Sequence, residues 1–326
     1  MNSSSELSQL GPTRKFNLSL GVRLTGVTRA IALIAWVSIT LVSLLSFVLS
    51  VYSLNVWDRV PAAQASHYFT GMTPEGVQSH ANYQDVILHA GLSLAGYALI
   101  FTSARILGGL ALFILGFLMI RRYSDRLMAV LMAILLSVFA AAGIWNNPLF
   151  TWAVGIAPWM KFPAELLAWL LWCGVVVIYA FPDGQVKPRW MFWLAVLVVP
   201  IGFLIAFDLN IFLNPSSWPS PLDLLPNILF IGGAFFAIIY RYVRSVDPGQ
   251  KRRLKWFVLG LSLLLVAYFV DFFISDVYPL SGNLLIQGYQ AGMNYVLTYE
   301  PIWYALEAFF AIGLGISVFH QKLLED

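Results

Sequence analysis

The sequence predicts an all-α, polytopic membrane protein: a bundle of eight transmembrane helices with both termini in the cytoplasm. Three observations carry that expectation. Of the 326 residues, 60% are hydrophobic and only 11% charged, whereas soluble domains carry roughly 25% charged residues. Mean hydropathy is +0.78, and no water-facing surface is available to hide such a composition. Apolar runs such as Ile31 to Leu54 and Phe257 to Val270 continue without alternation, unlike the roughly 10-residue alternating strands of a membrane barrel. Finally, sixteen of the nineteen lysines and arginines fall on one face when the chain is threaded through eight spans. That asymmetry marks a cytoplasmic side.

The eight runs cover residues 30–54, 94–119, 127–145, 164–181, 190–208, 226–240, 256–275 and 301–319. Crossing the hydrocarbon takes about 20 apolar residues, and the sixth run is the shortest that qualifies. With the amino terminus inside, the cytoplasmic face collects Arg14, Lys15, Arg23 and Arg29, then Arg121, Arg122 and Arg126. Lys187 and Arg189 follow, then the run from Arg241 to Lys255, and last Lys322. Only Arg59 and Lys161 fall outside, and Arg105 lies within a span. An odd number of helices would scatter these charges over both faces. The first run is too long for a signal peptide, whose apolar core spans about 7–15 residues. The localisation expected is the cell membrane, crossed many times.

The two faces differ. Cytoplasmic connections are short: Arg121 to Arg126, Phe181 to Arg189, and Arg241 to Lys255. Pro182-Asp183-Gly184 suits a tight turn with proline at its second position. The third connection is a basic run suited to anionic lipid. The outer face holds the longest polar stretch, residues 55–93, with His67, His80 and His89. Its other loops are rich in Trp, Tyr and Pro, either as a membrane-interface belt or as the rim of a ligand site.

Four motifs, in order, resemble the membrane-embedded sensor region of bacterial two-component sensor histidine kinases. Phe181-Pro182-Asp183-Gly184-Gln185 with Pro188-Arg189-Trp190 is similar to their F-P-D-G-x…P-R-W stretch. Lys251-Arg252-Arg253-Leu254-Lys255-Trp256-Phe257-Val258-Leu259-Gly260 resembles R-Q-Q-x-K-W-V-V-x-G before the penultimate span. Met72-Thr73-Pro74-Glu75-Gly76-Val77 and Gly91-Leu92-Ser93-Leu94, with Tyr97-Ala98, are similar to the approach to the second span. The order and spacing run from about residue 30 to the end. Family members leave the last span through an R-Y-R-L-x-D-I-D stretch into a kinase or another output module, where this chain reads His320 to Asp326. The resemblance therefore implies a sensor that lacks the kinase module. On that reading residues 1–29 are a cytoplasmic segment, 30–319 a sensor-like transmembrane domain with its extracytoplasmic loop 55–93, and 320–326 a short tail.

Ionisable groups inside a bilayer cost roughly 2.5–3.5 kcal/mol on insertion scales, so each is a candidate site. Arg105 lies deep in the second span, Asp271 in the outer third of the seventh, Glu307 near the outer start of the eighth, and Glu165 at the start of the fourth. Trp303 recurs with Glu300 and Glu307 at helical spacing. Glu165 reads first as a carboxylate favouring the positive end of a helix. Arg105 reads as an ion pair with Asp271 or Glu307, or as a ligand contact. Small Ala104 and Gly108 beside it would admit a neighbouring helix.

No cofactor or metal is expected. The histidines are separated by 13 and 9 residues, unlike zinc spacings such as H-x₃₋₅-H. Hydrolase, nucleotide-binding and thiol-redox motifs are absent from the sequence, and Cys173 is the single cysteine. The function expected is a non-enzymatic membrane sensor that binds a small or lipophilic signal on its outer face. The alternatives are a small-molecule transporter, which would need inverted repeats, and an integral membrane enzyme acting on lipids. Expected partners are membrane lipid, a kinase or other output protein acting in trans, the ligand itself, and a second copy of the chain. Nucleic acid is not among them at a net charge of +3.

Overall fold

The structure, a computed structural model, describes residues 22–59, 84–85, 87–88, 91–141, 159, 161–207, 209, 218, 222, 225–244, 248–277 and 300–320. Among them the chain is all-helical. Eight helices appear, one for each apolar run: α1 (Gly26–Arg59), α2 (Leu94–Tyr123), α3 (Leu127–Ala141), α4 (Lys161–Ala180), α5 (Met191–Ala206), α6 (Leu225–Arg244), α7 (Pro248–Val277) and α8 (Glu300–Gly315). A π-helical turn, Ile316–His320, continues α8. Three helical stretches are long and apolar enough to cross a membrane: Gly26–Tyr52, Leu94–Tyr123 and Lys161–Ala180. At 1.5 Å per residue, α3 and α5 are shorter than the roughly 30 Å of hydrocarbon; they have 15 and 16 residues.

One boundary departs clearly from expectation. Of the expected connection from Arg241 to Lys255, the described residues are helix: Arg241 to Arg244 end α6 and Pro248 to Lys255 begin α7. Proline is pre-set for the first helical position because its missing N–H has no partner there anyway, and Pro248 starts α7. Lys251, Arg252 and Lys255 therefore sit in its first two turns.

Six helices form a closed ring. In turn α2 packs on α3, α3 on α4, α4 on α6, α6 on α7, α7 on α8, and α8 returns to α2. Outside it, α1 lies across α2 and α3, and α5 across α4 and α6. The ring is filled by one apolar cluster containing Leu112, Met119, Met132, Leu136, Phe181, Phe257, Leu261, Phe310 and Leu314. The outward faces of α1 and α2 remain apolar and exposed, with Ile31, Ile34, Leu41, Val48, Leu99 and Leu107 among them. Uncovered apolar faces on a fold with a packed interior suit lipid rather than water.

Contacts at one end join all the basic segments. The Leu24 N–H donates to the Asp125 carbonyl at 2.6 Å and the Leu127 N–H to that of Val22 at 3.1 Å, bringing the start of α1 to the α2–α3 turn. Tyr123 Oη donates to the Val318 carbonyl at 3.3 Å, and the Phe257 N–H to Ser317 Oγ at 3.0 Å. The rings of Phe181 and Phe257 are 4.6 Å apart. Successive helices therefore alternate in direction, and Arg23, Arg29, Arg121, Arg122, Arg126, Lys187, Arg189, Arg241 and Arg244 gather at a single basic end.

Candidate functional site

Two polar constructions interrupt the apolar bundle. One sits at the basic end, where α4 finishes at Ala180. The Gly184 N–H reaches back to the Ala180 carbonyl at 2.8 Å, closing a five-residue reversal rather than the expected four-residue turn. Gly184 takes φ +74°, a conformation that a Cβ would strain. Asp183 Oδ1 accepts from the Gln185 N–H at 3.2 Å, and its Oδ2 pairs with Lys187 Nζ at 2.8 Å.

Into this loop comes Arg241 from the last turn of α6. Its guanidinium donates to the carbonyls of Tyr179, Phe181 and Gln185 and lies 3.3 Å from Asp183 Oδ1. The side chain is buried while Asp183 is about one-third exposed. Burial acts to raise the Asp183 carboxyl, but the Arg241 charge, Lys187 and the Gln185 N–H outweigh it and hold the carboxyl below its usual range. Arg241 was expected only as one more loop cation. Its main partners are backbone carbonyls, which leave no mark in a sequence.

The second construction lies further along the bundle, between α1 and α2. Arg105 is buried, and its Nη2 donates to Ser50 Oγ of α1 at 2.7 Å. Ser50 belongs to a buried stripe with Ser43 and Ser46, spaced to repeat on one helix face. One turn on, α1 and α2 nearly touch: a Cβ on Gly109 would come within 2.3 Å of the Phe47 ring. The Thr40 and Ser137 hydroxyls are 3.1 Å apart and tie α1 to α3. Ser43 Oγ is fully buried without a hydrogen-bond partner among the described residues. A first helix with a largely open outer face is thus held by hydroxyls and by two guanidiniums, Arg105 on Ser50 and Arg29 on Ser124 at 2.5 Å, beside its apolar contacts, which suits a medium where apolar contacts alone gain little over lipid. Gly108 is buried and Ala104 half-buried, but the close approach to α1 is made at Gly109.

Helix register relates the remaining candidates to Arg105. Parallel α2 and α8 meet where a Cβ on Gly315 would lie 3.5 Å from Leu115 and where Tyr123 reaches Val318. Extended by about three turns, these contacts carry Arg105 to a level between Glu300 and Ala305. Antiparallel α7 and α8 meet at Phe257 with Ser317 and at Gly260 with Gly313. Extended likewise, that register brings position 271 level with position 303. Positions 271, 303 and 307 therefore lie within about two turns of the level of Arg105 on two adjacent helices, of which α8 packs on α2. The side chains of Asp271, Trp303 and Glu307 lie outside the described residues.

Glu165 stands apart. Helix α4 begins at Lys161, so Glu165 is one turn inside and its first turn holds no acid; the expected start at 164 would have put Glu165 at the helix end. It pairs with Lys161 Nζ at 3.4 Å on a helix that packs chiefly against α3, α5 and α6.

No protein-family model, curated protein or solved structure matches the chain. No three His, Cys, Asp or Glu side chains come together among the described residues to hold a metal ion. His67, His80 and His89 lie outside them, as do most of the outer aromatic loops.

Proposed function

We propose that this chain is an eight-span sensor of the cell membrane with both termini in the cytoplasm, similar to the membrane region of two-component sensor kinases. It detects a small or lipophilic signal in its outer half and passes the change to an output protein in trans. The observation that carries the reading is the buried Arg105 guanidinium, within about two turns of the level of positions 271, 303 and 307 on α7 and α8. A cation in hydrocarbon is costly and marks a functional position by default; Ser50 is one partner of Arg105, and an anionic or strongly polar ligand group would be a further one. Three features support transmission. α8 spans from that level to the basic end, its π-helical turn is tied to α2 and α7 through Val318 and Ser317, and the whole basic end is one connected network. In this reading the chain performs no chemistry of its own.

The test is a deletion strain complemented with wild-type or Arg105→Gln chain and challenged with a panel of membrane-active amphiphiles. A sensor gives a transcriptional response that needs the wild-type chain and is lost in Arg105→Gln at equal membrane abundance. If instead the chain changes uptake or efflux of a compound with no dependent transcription, it is a transporter and the reading fails.

A further inference from the structure

An outward-facing column of rings stands at the basic end between α5 and α6. Arg244, in the last turn of α6, lies over the Tyr240 ring, 5.8 Å from its centroid. Tyr240 stacks on Phe236 at 5.9 Å with planes 29° apart. Phe236 in turn meets Trp190, at the start of α5, at 5.6 Å. Arg189 precedes Trp190 and is exposed. Trp190 and Phe236 are 53% and 45% exposed, and Trp193 one turn along is 67% exposed. These are large apolar surfaces beside two exposed cations, Arg189 and Arg244. Asp183, in the loop that leads to Arg189, is already engaged by Arg241 and Lys187.

We propose that this groove binds one anionic phospholipid from the leaflet on the basic side. Arg189 and Arg244 hold its phosphate, and Trp190 and Phe236 line its acyl chain. The column has the polarity of such a lipid, cationic at one end and aromatic along its length. Guanidinium groups match phosphate oxygens in pairs, and Tyr240 holds the Arg244 head in place before binding. The proposal rests on the membrane part of the functional reading and not on sensing.

The full chain is reconstituted in nanodiscs of phosphatidylcholine and phosphatidylglycerol, and retained lipid is counted by native mass spectrometry after gentle detergent release. Wild type should retain one phosphatidylglycerol in preference to phosphatidylcholine. In the Arg189→Gln/Arg244→Gln double variant that occupancy should fall about tenfold or more. Arg252→Gln/Lys255→Gln, which removes two exposed cations from α7, should stay within about twofold of wild type, because its charges lie off the groove. Trp190→Ala leaves both arginines in place and should also lower retention. Equal losses in the two double variants would mean diffuse surface attraction and would overturn the site, as would equal retention of the two lipids by wild type. Failure of the chain to enter nanodiscs of either composition would instead defeat the membrane reading, and the proposal with it.

Discussion

Arg241 Nη1 lies 3.3 Å from Asp183 Oδ1, joining the end of α6 to the loop after α4. The same guanidinium also satisfies three carbonyls of that loop, so the two residues are unequal partners. Removing Arg241 takes the donor from three loop carbonyls, two of them in buried contacts, while Asp183 keeps Lys187 and the Gln185 N–H. Removing the carboxylate leaves Arg241 with its carbonyls. In detergent unfolding, Arg241→Met should cost about 2–4 kcal/mol for the buried carbonyls it leaves unpaired and Asp183→Asn only about 1 kcal/mol, since Asp183 is partly screened by water. Equal costs would contradict the asymmetry.

The same pair sets a pH response. Asp183 has a folded pKa below its unfolded value, so the unfolded chain binds the proton more readily. The contribution is complete above the unfolded carboxylate value, near pH 4, and is lost as pH falls through the lower folded one. Stability measured by thermal unfolding should therefore drop on acidification below about pH 4. Asp183→Asn should remove this component of the drop.

Helices α7 and α8 approach through two glycines. A Cβ on Gly313 would stand 2.7 Å from the Trp256 carbonyl oxygen, whereas one on Gly315 would meet Leu115 at an ordinary 3.5 Å. Gly313→Ala should push the helices apart and cost about 1–3 kcal/mol, the usual penalty of overpacking. Gly315→Ala should be close to neutral in the same unfolding assay. The reverse order would refute the packing.

Two serines of one stripe should respond in opposite directions. Ser50→Ala takes an acceptor from Arg105 and should destabilise by about 0.6–1.7 kcal/mol, the range for interhelical hydrogen bonds in membranes. Ser43→Ala removes a buried hydroxyl that has no partner among the described residues and should stabilise by up to about 1 kcal/mol. Thermal shifts of opposite sign are the expected result.

Reporter fusions after residues 70, 155, 220 and 285 should all read as external, because each follows an odd-numbered span. An internal signal at any of them would break the eight-span topology.

The helices were legible because each is one apolar run, and their ends were legible where proline, glycine or charge coincide with the end of that run. The start of α7 was not. Pro248 lies eight residues ahead of Trp256, and the basic residues between them read as a surface connection. In the candidate site, Arg105 announced itself as a charge within hydrocarbon. Ser50 did not, since a serine in a long apolar helix costs little and is common. The Arg241 clamp was hidden for a different reason: sequence gives the donor, but only the fold shows which carbonyls are turned toward it. Glu165 misled because the helix begins one turn sooner, at a lysine that supplies its partner.

The return of α8 to α2 has a consequence for how the chain is made. Leu112, Leu115 and Met119 of α2 find Phe310 and Leu314 only after nearly two hundred further residues have been synthesised. Until then α2 has α3 but not α8 beside it, and the half-built arc from α2 to α7 is open on one side. Closure of the ring therefore waits until α8 itself has been synthesised. A ribosome stalled before α8 would leave an open horseshoe, the form that membrane quality control can recognise and degrade.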